Sequence, residues 1–210
     1  VSSGQYNECI GFQEKSISVI GEDSNSTIID GQNLCQVVNI NNSNSALLSN
    51  FTIINGNAVN VSYRRGGGIG MNYSGSITLQ NLLIRDCEAG MGGGIFVLDT
   101  DLIYDNIAVV NNKTDNMGSG IQLSGNSSMD GSRILIANNY AIDGNPSSGG
   151  IRSTVTSVNL VSLNNATLYN NNVNFDSDHQ INIHNSIFYQ SSISDPSNNI
   201  EDSNISVNYS

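Results

Sequence analysis

The 210-residue chain has no tryptophan, only two prolines (Pro146 and Pro196), and only 7 lysines and arginines against 18 acidic residues. Each shortage excludes something. A net charge of −11 leaves no basic stripe for nucleic acid, which needs one to replace phosphate counterions. The one basic pair, Arg64-Arg65, is an anion contact at most, and a solvated turn is the simpler account. No apolar run approaches the roughly 20 residues of a membrane-spanning helix, so no membrane span is expected. Lys, Glu and Ala are scarce, which argues against extended helix. Charged residues are only 12% and mean hydropathy is −0.17, unlike a disordered acidic tail. With no initiator methionine or signal peptide at Val1, the chain reads as a mature or excerpted portion of a larger polypeptide.

What is present is Asn, Ser and Gly between short runs of Val, Ile, Leu and Thr. Ile17-Ser18-Val19-Ile20, Thr27-Ile28-Ile29 and Val37-Val38-Asn39-Ile40 are too short for helices and end in turn residues, so strand–turn–strand is expected. One motif then recurs: Gly66-Gly67-Gly68-Ile69, Gly92-Gly93-Gly94-Ile95, Gly118-Ser119-Gly120-Ile121 and Ser148-Gly149-Gly150-Ile151, with a faint copy ending at Ile181. The isoleucines are 26, 26, 30 and 30 residues apart.

A unit of this length closes one coil, and one coil cannot bury its own apolar face, so coils must stack. The expected fold is all-β: a single right-handed parallel β-helix of about eight coils with three short strands per coil, roughly 40 Å long at one strand spacing per coil. Residues 1–175 would form regular coils, and 176–210 less regular coils serving as a cap or a junction to a following segment. Ile69, Ile95, Ile121, Ile151 and Ile181 would make an inward ladder. Asn55, Asn111, Asn138 and Asn170 would make an amide ladder at a sharp bend, interrupted once by Asp86. An antiparallel sandwich would not require a glycine–isoleucine motif returning at this period.

The motif, with Asn50-Phe51-Thr52-Ile53-Ile54-Asn55-Gly56-Asn57-Ala58 upstream, resembles the repeats of polymorphic outer-membrane proteins and, more broadly, parallel β-helix repeat proteins such as autotransporter passengers. The resemblance covers roughly residues 1–175. It implies a secreted, extracellular or cell-surface location and an adhesive or structural role, with no cofactor. Its implied partners are other copies of the chain, cell-surface or matrix components, or glycans.

Cys9 and Cys35 are also 26 residues apart, so on adjacent coils about 4.8 Å apart they are compatible with a disulfide. Cys87 reads as a buried thiol. Sequons stand at Asn25, Asn41, Asn50, Asn60, Asn72, Asn112, Asn126, Asn165, Asn204 and Asn208, acceptors for N-glycans in a secreted eukaryotic protein.

The alternative function is a carbohydrate-binding or polysaccharide-cleaving β-helix. Glycoside hydrolysis needs two carboxylates at a set separation. The carboxylates to examine are Asp99, Asp101 and Asp105, also weak calcium candidates, and Asp176 and Asp178 beside His179. Their simplest reading is as solvated turns. Arg85 and Arg133 are the nearest bases for a lyase, without an acidic set around them. Neither the Gly-His-Gly nor the Arg-x-Lys signature of polygalacturonases occurs. His179 and His184 read as surface residues. Tyr63, Tyr73, Tyr104, Tyr140 and Tyr169 are sugar-stacking candidates, with partly buried packing the simpler account. The expected function is therefore non-enzymatic: an extracellular structural or adhesive β-solenoid module of a surface protein or filament, assembling end to end, with variable loops at 57–65, 113–117 and 142–147 for display.

Overall fold

The computed structural model describes residues 1–59, 65–142, 149–155, 161–171, 173–177, 181–189, 192–194, 200–202 and 205–208. They form an all-β parallel solenoid, without helix among them. The strands pair in parallel with their copies on adjacent turns, those inside each sheet on both sides. The longest sheet runs Gly4–Tyr6, Thr27–Asp30, Ser45–Ile54, Ser76–Arg85, Asp101–Val110, Ser128–Ala137, Val161–Tyr169, Ile181–His184 and Ile200–Asp202, with Ser18–Ile20, Ser186–Tyr189 and Ile205–Asn208 pairing alongside. A second sheet stacks Ile10–Gly11, Val38–Asn41, Ile69–Asn72, Ile95–Leu98, Ile121–Gly125, Ile151–Val155, Val173–Ser177 and Ser192–Ser194. The third is a three-strand strip of Glu88–Met91, Lys113–Met117 and Tyr140–Ala141.

Two details depart from three even short strands repeated about eight times. The solenoid has about five full turns, each carrying one strand of nine or ten residues in the long sheet. Each long strand is two short ones joined through a bend, at Asn50, Asn81, Asn106, Arg133 and Asn165, all at φ between 50° and 63°. Asparagine tolerates this left-handed backbone better than most residues. The segment 113–117, expected as a loop, is the central strand of the third sheet.

The core is made of in-register apolar columns. Val38, Ile69, Ile95, Ile121 and Ile151 stack in the second sheet with no exposed surface. Ile181 does not continue this column. It pairs with Val161 in the long sheet, and Phe175 occupies the position after Ile151. The cause is a shorter turn: Phe175 follows Ile151 by 24 residues, so a constant spacing carries the count past the column. In the long sheet Ile53, Ile84, Val109, Ile136 and Leu168 form another fully buried column. Each such side chain removed from water contributes about 1.5–3 kcal/mol. Tyr104 is a bulkier member of a third column. Its ring faces Gly131 on the next turn, and its hydroxyl donates to the Ser162 carbonyl at 2.9 Å.

The glycine motif divides its labour. Gly66, Gly92 and Gly118 have φ of 65°, 63° and 60°, where a Cβ is strained. Gly94 is required by contact instead: a Cβ there would lie 2.6 Å from Val109 Cγ1 and 2.7 Å from the Gly120 carbonyl oxygen on the next turn. Gly67 and Gly93 form the apex between them, where Ser119 stands in the third copy. The Gly149 and Gly150 carbonyls accept from the Ser119 and Ile121 N–H groups. Gly94→Ala is therefore expected to lose about 1–3 kcal/mol through overpacking, read as a lower urea midpoint with an unchanged slope.

Candidate functional site

The corners of the solenoid are closed by polar side chains, each reaching the turn beside it. The innermost set is a column of buried groups: Cys87, Asn112, Asn139 and Asn171, at most 3% exposed. Asn139 Oδ1 accepts from the Asn112 N–H at 3.0 Å and from Asn112 Nδ2 at 3.1 Å. Asn171 Oδ1 does the same for Asn139, at 3.0 Å in both cases. Each amide nitrogen also donates to a main-chain carbonyl on the turn before its own: Asn112 to Ile84, Asn139 to Val109 and Asn171 to Ile136. Corner peptide groups that cannot reach water thus find partners inside. Asn112 Oδ1 accepts from the Cys87 N–H, and the Cys87 sulfur accepts in turn from the Gly56 N–H at 3.4 Å. Burial pushes the Cys87 thiol up to about 12.

This column is one residue beyond the expected asparagine ladder. Asn55, Asn111, Asn138 and Asn170 do sit at positive φ, as does Asp86. Their side chains lie on the outside of the corner, where Asn170 donates to Asn138 at 2.8 Å and Asn55 to Asp30 at 3.0 Å. A second outer column joins Asn106 to Asn81 and Asn81 to Asn50, at 2.9 and 3.0 Å. A hydroxyl column closes a further corner: Ser74 Oγ, Thr100 Oγ1 and Ser127 Oγ accept from the N–H groups of Ser43, Ser74 and Thr100. The doubled asparagines at 111–112, 138–139 and 170–171 were the sequence signal for the buried column.

Cys9 and Cys35 are joined in a disulfide, with Cα atoms 6.5 Å apart. Of the sequon asparagines, Asn25, Asn126 and Asn165 are exposed and Asn41, Asn50 and Asn72 half-buried. Asn112 is not a glycan acceptor in the folded chain, because its amide is wholly enclosed by the buried column. Asn60 and Asn204 lie outside the described residues, and only the backbone of Asn208 is described.

The aspartates do not assemble. Asp99 accepts from the Asn126 N–H, Asp101 from the Ser128 hydroxyl, and Asp105 pairs with Arg133. That guanidinium holds the Asp105 carboxyl below its usual range. Among the described residues no three His, Cys, Asp or Glu side chains converge as a metal site. Asp178, His179 and Tyr63 fall outside the described residues, and only the backbone of Asp176 is described. Arg85 pairs with its neighbour Asp86, and His184 is exposed. Tyr104 is core, its phenol raised by burial. Tyr169 stacks on Tyr189 with ring centres 5.6 Å apart. Tyr73 and Tyr140 are exposed.

One concavity stands out. A groove of about 740 Å³ runs along the outer face of the second sheet at its N-terminal turns. Val38 and Ile40 point into the core, so the alternation of the strand sends Asn39 and Asn41 outward. Asn72 stands beside Asn41 on the next turn and donates to it at 2.8 Å. Gln36 crosses the bare face of Gly70 and donates to the Arg65 and Gly66 carbonyls, while its own carbonyl accepts from Asn39 at 2.7 Å. Tyr73, 62% exposed, and Asn42 border the groove, and the disulfide with Ile10 and Gly11 forms its far wall. Arg65, expected as a solvated turn residue, is half-buried at the edge with its guanidinium 4.9 Å above the Phe96 ring. Among the described residues no Asp or Glu lines the groove.

Compared with protein-family models, curated proteins and solved structures, the chain matches none of them. No helix among the described residues is long and apolar enough to cross a membrane.

Two outcomes follow. Asn139→Ala strips partners from two buried donors on Asn112 and is expected to lose about 2–6 kcal/mol, at about 1–3 kcal/mol per unsatisfied group, measured by chemical denaturation. Cys87 in the native protein is expected to resist iodoacetamide at pH 8 and to react fully once unfolded, since the thiolate is the nucleophile.

Proposed function

We propose that this chain is a non-enzymatic, extracellular structural or adhesive β-solenoid module of a surface protein or filament. The observation that carries the reading is that the polar side chains of the repeated corners are committed to holding turn to turn. Asn112, Asn139 and Asn171 inside and Asn50, Asn81 and Asn106 outside are consumed in the scaffold. The Asp105–Arg133 pair, which combines acid and base on neighbouring turns, also joins one turn to the next. What remains for recognition is surface on a stiff rod, a suitable support for a contact site.

Three further features support it. The Cys9–Cys35 disulfide suits an oxidising, extracytoplasmic setting. Asn25, Asn126 and Asn165 offer exposed sequons. The Gly-Gly-Gly-Ile motif with its upstream asparagines resembles the repeats of polymorphic outer-membrane proteins and autotransporter passengers.

The test is to coat surfaces with the purified chain and measure attachment of cells and extracellular-matrix components, alongside polysaccharide cleavage assays with and without calcium. Saturable attachment without cleavage is the expected result. Release of reducing ends or unsaturated sugars would overturn the non-enzymatic reading, and an inert surface would overturn the adhesive one.

A further inference from the structure

We propose that the N-terminal groove is a binding site for a neutral oligosaccharide, held by outward amides and by the ring of Tyr73. This rests on the adhesive reading and names the ligand chemistry of its contact site.

The argument begins with what the groove offers. Its volume, about 740 Å³, lies within the roughly 300–1,000 Å³ range of small-molecule sites. Its polar groups are mostly amides, which both donate and accept. A sugar hydroxyl does the same, so a row of amides matches a row of hydroxyls without placing a charge in the site. The amides are not saturated. Asn41 Oδ1 is taken by Asn72, but among the described residues nothing takes up Asn41 Nδ2, Asn72 Oδ1 or Asn39 Oδ1. One two-hydrogen donor and two acceptors therefore line the groove. Their carriers are fixed: Asn39 and Asn41 lie on a paired strand, Asn72 is in register beside them, and Gln36 is pinned by two carbonyls. Pre-organised groups lose little entropy on binding.

The aromatic element is Tyr73. It sits at a corner with φ of 50°, its N–H donating to the Leu98 carbonyl, while the Asn42 N–H donates to the Asn72 carbonyl just before it. The backbone thus holds an exposed ring at the mouth of the groove, where buried packing does not account for it. An aromatic face covers the apolar C–H side of a pyranose while the phenol remains in water.

Charge selects against the alternatives. The chain carries 18 acidic residues, yet none of those described lines the groove, which removes the feature a cationic peptide would need. Arg65 is the one charged residue among those lining the groove and stands at its edge over Phe96, while the floor is built of amides.

The test combines binding and adhesion on three proteins: wild type, Tyr73→Asn, which keeps a residue suited to positive φ while removing the ring, and Asn41→Ala. Thermal melts establish that all three fold. A glycan array followed by calorimetry on the best neutral oligosaccharide should show binding by the wild type, with Kd raised about tenfold or more by either substitution. An array on which the wild type binds no neutral glycan, or binding unchanged in both variants, overturns the inference. Adhesion separates this from the parent reading. Adhesion that persists in both variants and in excess free glycan leaves the adhesive module standing and removes the groove as its contact site. Glycan binding without adhesion does the reverse.

Discussion

The structure depends on satisfying the peptide groups at the inner side of each corner. Strands solve the problem along their length, because every N–H and C=O finds its copy one turn away. A corner breaks that regularity while remaining closed to water, and an unpaired buried donor there costs about 1–3 kcal/mol. Asn112, Asn139 and Asn171 answer it with one residue type. Each amide accepts from the neighbouring turn and donates to a strand carbonyl. The group that closes one corner positions the next, so the column couples adjacent turns through side chains as well as through backbone.

The same requirement explains which substitutions the columns contain. The outer column joining Asn50, Asn81 and Asn106 ends at Arg133, which takes the same backbone conformation but turns its guanidinium to Asp105. Water can replace a lost amide contact there, so the position needs only a tolerable φ. In the buried column water is excluded, and the replacement for asparagine must still accept a hydrogen bond. Cys87 does, weakly, from Gly56. Beyond it the amide column stops. The first two turns are tied instead by the Cys9–Cys35 bridge, by Asn55 on Asp30 and by Gln36 across Gly70. The groove opens where this different set of ties holds the turns together.

Much of this architecture is legible in the sequence because stacking enforces it. Four of the five isoleucines share one column, and before Ile69, Ile95 and Ile121 a left-handed glycine at Gly66, Gly92 and Gly118 sets the same bend. The fifth, Ile181, shows the limit. Spacing marks register only while turn length holds, and the shorter turn hands the position to Phe175. The asparagine ladders were harder to place. In a doubled Asn the first supplies the left-handed backbone and the second enters the corner, and composition does not distinguish the two. The sequon at Asn112 fails for the same reason: three residues define a sequon, whereas the turns above and below define its burial. The strand at Lys113–Met117 was hidden because Thr114 alone faces inward with its hydroxyl on the Gly90 carbonyl, leaving little apolar alternation to read.

The groove was least legible, although its residues were plain in the alternation Val38-Asn39-Ile40-Asn41. One strand cannot show whether an outward asparagine meets water, a loop or a partner amide. In the second sheet the outward position opposite Asn39 is Gly70 on the next turn, then Phe96, then Gln122, and the latter two are as buried as the core. The face is therefore covered along its middle and open at its N-terminal turns. Gly70 lets Gln36 cross the face beside the groove, since a side chain there would collide with it. A solenoid that repeated perfectly would present one surface throughout. Recognition needs a place where the repeat departs from itself, and here the departure is a missing side chain flanked by amides that the scaffold has only half used.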